Sequence, residues 1–332
     1  MHDEQATGQA TAAQDPVLPP IPTRVDLDAA WATLEGVVHR TPVVTCSTLD
    51  RRAGASLFLK CEQFQRVGAF KFRGASFALA RLDEAQRARG VVTHSSGNHG
   101  QALACAARSH GIDATIVVPE GAPEAKVAAI AGYGATVVRC APTGAARVAT
   151  AHEIVERTGA VQISSHDHFD VIAGQSTAAR ELLDEVPDLN AVVVPVGGGG
   201  LLSGTALCAH HLAPRVRVIG AEPAGANDAA RSLAAGRLIP CDSPQTIADG
   251  LRTSLAPRTF AIARRHVERI LTVDDDAIVR AMRLVWERAK LMIEPSSAVA
   301  VAALLEPGHG LDGCRVGIVL TGGNVDLDRL PW

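Results

Sequence analysis

The chain has 332 residues, of which 47% are hydrophobic and 20% charged, and its formal net charge is −3 with histidine counted as neutral. This length and composition predict a globular protein of roughly two domains. The dispersed basic residues argue against a nucleic-acid or polybasic membrane surface and favour a small anionic or zwitterionic ligand. Seven scattered cysteines, the lack of a secretory signal and the lack of a long apolar run predict a cytoplasmic protein without a membrane span.

In chain order, residues 1–22 are rich in Ala, Gln, Thr and Pro without periodicity and predict a disordered leader. A βαβαβ pattern then runs through VVTH, NHGQALACAARSHG, ATIVVP, PEAKVAAIAGYG and ATVVRC. The alternation resumes with VQIS, a helix near 171–186, NAVVVPV, a helix from about residue 200, RVRVIGAE, a helix near 274–290, and CRVGIVL. Strands separated by helices predict an α/β fold with a mostly parallel sheet covered on both faces.

A glycine run follows the strand of VVVPVGGGGLLSG, and a helix begins near Leu201. Glycines allow backbone N–H groups to converge on an anion, and the start of a helix adds its positive dipole end. The stretch therefore predicts a phosphate site, although a flexible strand-to-helix turn would have the same composition. The residues of this loop are Gly197, Gly198, Gly199 and Gly200.

Polar residues also follow the strand in VVTHSSGNHGQAL, at the start of the next helix. Hydroxyls, an amide and free N–H groups there suit a carboxylate or a phenolic oxygen, whereas simple helix capping is the alternative. A third such loop, Thr321 to Asn324, follows CRVGIVL. Three polar loops after parallel strands are typical of the ligand edge of an α/β sheet.

Lys71 lies between two phenylalanines in VGAFKFRG and opens a predicted helix. Desolvation and the positive end of a helix both lower the pKa of a lysine, as Schiff-base chemistry requires. A surface lysine with its amine in solvent is the alternative. The other lysines have polar neighbours that predict solvated faces, and they are Lys60, Lys126 and Lys290.

Taken together, these segments resemble the fold-type II pyridoxal-phosphate enzymes, specifically the threonine and serine dehydratases and the serine racemases. The resemblance runs from Val25 to Leu327 through KCEQFQRVGAFKFRGA, THSSGNHGQAL, VIAGQ, VVPVGGGGLLSG, AEPAGANDA, TIADGLRTS, LVWERAKLMIEPSSAVAVAAL and VLTGGNVDL. It implies a homodimer of the two-domain, tryptophan synthase β-like fold. Residues 23–80 and 168–332 would form the large cofactor-binding domain, and residues 81–167 a small domain that closes over the substrate.

The resemblance also implies roles for individual residues toward pyridoxal 5′-phosphate. Lys71 would form the Schiff base, Phe70 would pack near the ring, and Asn98 would bond the phenolic oxygen. The glycine loop and the Leu201 amide would hold the phosphate. Thr321 would face the pyridine nitrogen, and its neutral hydroxyl would make the ring a milder electron sink than a carboxylate partner would.

For the substrate, the resemblance implies an α-carboxylate site and a pocket that are formed by Ser95, Ser96, His99, Arg147 and Ser254. Lys71 would remove the Cα proton of a 3-hydroxy amino acid, for which L-threonine or L-serine is the first expectation. Loss of the hydroxyl and hydrolysis would give a 2-oxo acid and ammonia. The sequence thus predicts an ammonia-lyase that acts on a free amino acid.

Several alternatives stay open from the sequence. Ser96, on the ring face opposite Lys71, could return the proton and give a serine racemase. Ala69 in GAFKFRG is similar to its counterpart in 3-hydroxyaspartate dehydratases. A β-replacement synthase fits less well, because EPSSAV and TIADG resemble dehydratase segments, and a non-catalytic cofactor or ligand binder is the remote alternative.

AEPAGAND supplies three oxygen ligands of the kind that Mg²⁺ and Ca²⁺ prefer, namely Glu222, the Ala226 carbonyl and Asp228. A solvated acidic turn would be the ordinary interpretation of two carboxylates. The resemblance favours a divalent cation, with Mn²⁺ a third candidate, in a structural and activating role. The HDHFD stretch is interpreted as a polar connector rather than a transition-metal site, with His166 at the border of the active site.

Overall fold

The computed structural model describes residues 19–122 and 124–332, which form two β-sheets flanked by helices. Six strands in the order β1-β2-β10-β7-β8-β9 form the larger sheet, in which only β1 is antiparallel, and β5-β4-β3-β6 form the smaller, parallel sheet. The predicted α/β fold class is confirmed. The strands are β1 (Val43–Val44), β2 (Ser56–Cys61), β3 (Val91–His94), β4 (Ala114–Pro119), β5 (Thr136–Cys140), β6 (Val161–Gln162), β7 (Ala191–Pro195), β8 (Arg217–Pro223), β9 (Arg269–Val273) and β10 (Arg315–Leu320).

The helices match the predicted alternation from β3 onward, and the helix predicted near 274–290 continues from α12 as a π-helix over Val285–Ala289. The helices are α1 (Arg24–Leu34), α2 (Ser47–Ala53), α3 (Lys71–Ala80), α4 (Glu84–Arg89), α5 (Asn98–His110), α6 (Glu124–Gly132), α7 (Gly144–Thr158), α8 (Phe169–Glu185), α9 (Gly200–Leu212), α10 (Asp228–Ala235), α11 (Pro257–His266), α12 (Asp275–Leu284) and α13 (Pro295–Leu305). Short 3-10 turns occupy Glu62–Phe64, Arg66–Gly68, Ala224–Ala226 and Asp249–Leu251.

Strand β7 shows why both faces of the larger sheet are covered. All five of its residues are buried. Val193 belongs to the apolar cluster that contains α13, whereas Val192 and Val194 belong to the cluster that contains α9. Because side chains alternate across a strand, a continuous apolar run requires a helix layer on each side.

A buried ionic network connects α3 to α8 and to the 3-10 turn that follows β2. Arg73 donates two hydrogen bonds to Glu62, at 2.7 and 2.8 Å, and two to Glu181, at 2.7 and 2.9 Å. Lys60 Nζ contacts Glu181 at 2.6 Å, and none of the four side chains is more than 4% exposed. The prediction that Lys60 lies on a solvated face is wrong, because its charge is paired inside this network.

The carboxyl ends of β3, β7 and β10 all lead into the polar loops singled out from the sequence.

The part of the predicted leader up to residue 18 lies outside the described residues. The proposed domain boundaries, the homodimer and the cytoplasmic location stay predictions. Among residues 19–122 and 124–332, no helix has the length and apolar character needed to cross a bilayer.

Candidate active site

Lys71 is the first residue of α3 and is partly buried. Its Nζ atom donates a hydrogen bond to the Ser165 carbonyl at 2.8 Å and lies 5.0 Å from the centre of the Phe70 ring. Burial lowers the pKa of the Lys71 amine to about 8, and the charge of Glu294 opposes that shift. The amine is therefore much easier to deprotonate than that of an ordinary lysine.

The loop before Lys71 is joined to the loop after β10. The Phe70 N–H donates to the Thr321 carbonyl at 3.0 Å, and Ala69 pairs with Gly322 in an antiparallel bridge. Asn324 of this loop also contacts the SSGNH turn, because its Nδ2 donates to Asn98 Oδ1 at 2.9 Å. Two of the predicted polar loops and the Lys71 segment are thus held together by direct hydrogen bonds.

The glycine loop is packed so closely that side chains would not fit. Gly199 has φ +83°, a conformation that favours glycine. A Cβ on Gly198 would lie 2.3 Å from Cγ of His166, so the imidazole stands directly against the loop. The first N–H groups of α9, at Gly200 and Leu201, have no acceptor within the helix and can face an anion.

The N-cap residue of α5 is Gly97, so no serine or asparagine side chain of the SSGNH turn caps this helix. The alternative that these polar residues serve only as a helix cap is therefore wrong. The His99 ring is buried with Nε2 bonded to the Ile163 carbonyl at 3.2 Å, and burial, with the charge of Lys71 second, lowers its pKa to about 3. Since the neutral ring donates to Ile163, we infer that the backbone N–H of His99, not its imidazole, is available to a carboxylate.

Comparison with known proteins decides the family. The sequence pattern of the family described as "Pyridoxal-phosphate dependent enzyme" matches residues 34–322. The chain belongs to this family. It is 46% identical over 312 residues to the beta-hydroxyaspartate dehydratase of Paracoccus denitrificans, covering 94% of this chain and 99% of that protein.

A serine racemase from Dictyostelium discoideum is also 46% identical over 312 residues, which cover 93% of this chain and 96% of the relative. Among solved structures, maize serine racemase superposes with a TM-score of 0.90 at 42% identity, over 92% of this chain and 94% of that one. The predicted family is therefore confirmed. Because the family is defined by its cofactor, this match also supports pyridoxal phosphate as the cofactor of this chain.

The residues of this pyridoxal-phosphate dependent enzyme fit the cofactor on structural grounds. Thr321 is 4% exposed, and its hydroxyl has no hydrogen-bond partner among the described residues. A buried orphan hydroxyl is costly unless a ligand atom completes it, and a pyridine nitrogen would do so. Lys71 and the crowded glycine loop supply the amine and the anion cradle that the aldehyde and phosphate require.

Arg147 on α7 is close enough to His94, the residue just before the SSGNH turn, for the two side chains to interact electrostatically. His94 ends β3, and burial, with the charge of Arg147 second, lowers its pKa. Within the described residues, Arg147 forms no ion pair. The Ser254 hydroxyl instead accepts the Cys241 N–H at 2.9 Å, so the structure connects it to the segment after β8 rather than to Lys71.

Of the predicted cation ligands, Glu222 and Asp228 lie close enough for the charge of Asp228 to act on Glu222. Glu222 accepts the N–H groups of Ala229 and Ala230, and Asp228 accepts that of Leu255 at 2.9 Å. Burial raises the pKa of Glu222 to about 8, with the charge of Asp228 adding to it. In the described part of the chain neither carboxylate has an ion-pair partner, which is the charge imbalance that a divalent cation would correct.

Three residues of the site were missing from the predicted set. Ser165 supplies the carbonyl that holds Lys71, and His166 covers the glycine loop although only a border position was expected for it. Glu294 is 4% exposed and accepts the Asn98 amide at 2.9 and 3.2 Å. The EPSSAV motif was available in the sequence, but nothing near it indicates that its carboxylate faces Asn98.

The lowered pKa of Lys71 predicts the pH dependence of its reactivity. In cofactor-free protein, acylation of Lys71 by an uncharged reagent should increase with pH through a midpoint near 8, because only the deprotonated amine reacts. Peptide mass spectrometry would measure the rate, and exposed Lys290 would correct for loss of reagent. A midpoint at or above about 10, the range of an unperturbed lysine, would contradict the assigned environment.

Proposed function

We propose that this chain is a pyridoxal-phosphate dependent ammonia-lyase that removes water and then ammonia from a 3-hydroxy amino acid and yields a 2-oxo acid. The observation that carries the proposal is the position of Lys71, an amine of lowered pKa at the start of α3. The dehydratase from Paracoccus denitrificans, similar over nearly the whole chain, supports the same reaction class.

When bound, pyridoxal phosphate supplies an electron-poor ring that stabilises negative charge on the substrate Cα. Desolvation lowers the pKa of Lys71 and so makes its deprotonated amine more accessible, and in that form it accepts the Cα proton. The N–H groups at the start of α5 hold the α-carboxylate and so fix the direction of the Cα–H bond. Elimination of the β-hydroxyl as water and hydrolysis of the remaining unsaturated amine give the 2-oxo acid and ammonia.

For the substrate, we favour 3-hydroxyaspartate over the L-threonine and L-serine of the sequence prediction, which remain candidates. The reason is Arg147, a guanidinium without an ion-pair partner in residues 19–122 and 124–332, whose charge acts on His94, the residue just before the SSGNH turn. A second carboxylate on Cβ would pair with that charge, whereas a methyl group or hydrogen would not. The relative from Paracoccus denitrificans supports this choice by its name.

Racemisation is the second candidate function, and Ser96 is the residue that favours it. Its half-buried hydroxyl precedes α5 and forms no hydrogen bond within the described residues, so it is free to exchange a proton with a substrate. The similarity to serine racemases from Dictyostelium discoideum and maize supports a measurable racemase activity.

We also propose that Glu222, the Ala226 carbonyl and Asp228 bind a divalent cation. The two carboxylates are buried close together, and the pKa of each is raised, first by burial. A hard cation such as Mg²⁺ would offset their repulsion and tie α10 to the end of β8. Its role would be structural, because among residues 19–122 and 124–332 no hydrogen bond or ion pair connects these carboxylates to Lys71.

Replacement of Arg147 tests the substrate proposal. Arg147→Met should lower kcat/KM for 3-hydroxyaspartate about 10- to 100-fold, the range for loss of a charged hydrogen bond, and change that for L-serine less than about threefold. Measurement of 2-oxo acid, ammonia and D-amino acid in the same reaction would separate elimination from racemisation.

A matched control is Arg139→Met, since Arg139 lies on β5 and pairs with Glu124 at 2.8 Å away from the SSGNH turn. This variant should keep the substrate ranking of the unmodified enzyme. An equal loss with both substrates in Arg147→Met would contradict the dicarboxylate proposal. Full turnover by Lys71→Ala would contradict the lyase mechanism itself.

Removal of one carboxylate tests the cation proposal. Saturating Mg²⁺ or Ca²⁺ should raise the thermal midpoint, since a ligand at 100 times its Kd stabilises the folded state by about 2.7 kcal/mol. Glu222→Gln should abolish the increase, whereas Asp242→Asn, at an exposed acid in the segment after α10, should retain it. Calorimetry with and without cation gives both values, and an undiminished increase in Glu222→Gln would exclude this site.

A further inference from the structure

Glu294 is a buried carboxylate to which the proposed reaction gives no role. It lies immediately before α13, and its side chain accepts hydrogen bonds from Asn98 Nδ2 at 2.9 and 3.2 Å and from the Asn324 N–H at 3.2 Å. It forms no ion pair within the described part of the chain. A buried carboxylate whose direct hydrogen-bond donors are neutral holds those donors in fixed orientations.

The contacts determine how the Asn98 amide is turned. Asn324 Nδ2 donates both to the Val67 carbonyl, at 2.8 Å, and to Asn98 Oδ1, at 2.9 Å. Asn98 Nδ2 faces the Glu294 carboxylate on the other side. A flipped Asn98 amide would place two donors against each other at Asn324 and an oxygen against the carboxylate, so only one orientation satisfies both neighbours.

One N–H of Asn98 is left over in this orientation. Asn98 Oδ1 accepts from Asn324 and one Nδ2 hydrogen goes to Glu294, so the second Nδ2 hydrogen is available to donate to a further ligand. A cofactor ring oxygen that faces this N–H would accept from it, and a hydrogen bond donated to the ring oxygen favours the deprotonated phenolate over the neutral hydroxyl.

We propose that Glu294, together with Asn324, is a positioning residue that locks Asn98 as a hydrogen-bond donor toward the ring oxygen of pyridoxal phosphate. The inference rests on the proposed function, because the location of that ring oxygen beside Asn98 is part of it. Glu294 acts through Asn98 and touches neither the substrate nor the reacting atoms.

Charges near Glu294 come from three elements, and they provide a control. Lys71 lies on α3, Lys126 on α6 and Asp249 in the 3-10 turn Asp249–Leu251, and Lys126 pairs with Asp249 at 2.6 Å. Burial first and Asp249 second raise the pKa of Glu294, so Asp249→Asn should keep Glu294 ionised without touching Asn98. This variant changes the local charge and leaves the proposed lock intact.

The experiment is a double-mutant cycle on the holoenzyme with Glu294→Gln and Asn98→Ala. Asn98 Nδ2 contacts both oxygens of Glu294, so in either orientation of the glutamine amide its Nε2 faces Asn98 Nδ2, donor against donor. Glu294→Gln should weaken pyridoxal-phosphate binding about tenfold and shift the absorption spectrum of the bound cofactor toward the neutral ring hydroxyl. In the Asn98→Ala background, Glu294→Gln should change the affinity less than about twofold.

Asn324→Ala removes the hydrogen bond to Asn98 Oδ1 and should produce the same spectral shift. This variant provides the test if Glu294→Gln folds poorly. The inference is overturned if Glu294→Gln has its full effect without Asn98, or if Asp249→Asn shifts the spectrum equally. If the unmodified enzyme binds the cofactor and turns over substrate but the effects of the two mutations are additive, only the positioning role of Glu294 is overturned. An unmodified enzyme that binds no pyridoxal phosphate would overturn the proposed function as well.

Discussion

The active site depends on the buried ionic network that fixes α3. Arg73, two residues after Lys71, is held between Glu62 and Glu181, and Lys60 balances the second negative charge. Burial disfavours the charged form of Glu62, but contact with Arg73 still keeps its pKa below the ordinary value. Loss of one partner from such a network costs about 3–5 kcal/mol, because it leaves a buried charge uncompensated. The helix that presents the reactive amine is therefore fixed from both sides.

Desolvation decides which groups in the cleft can exchange protons near neutral pH. Burial lowers the pKa values of His99 and His166 to about 3, so both imidazoles are neutral. It also lowers the pKa of Lys71 to about 8 and raises that of Glu294 to about 7. The two histidines are thus neutral, whereas Lys71 and Glu294 are the groups to which we assign the roles of base and of positioning residue for Asn98.

Local sequence was sufficient for the features whose cause is local. The alternation of strands and helices, the glycine loop and the SSGNH turn all depend on composition and spacing within a few residues, and Lys71 gained its role from the family resemblance. Lys60 was misplaced because its partner, Glu181, is 121 positions away. Glu294 was missed for the same reason, since Asn98 lies 196 positions earlier. Long-range pairing of polar groups leaves no periodic pattern in the sequence.

The most direct test of the central claim is the identity of the residue bonded to the cofactor. Borohydride reduction of the holoenzyme, followed by peptide mass spectrometry, should place one pyridoxyl group per chain on Lys71. We expect no pyridoxyl group on the other three lysines, because Lys60 and Lys126 are ion-paired and Lys290 is on the surface. A pyridoxyl group on any of these three lysines, or none at all, would contradict the assignment of Lys71 as the covalent anchor.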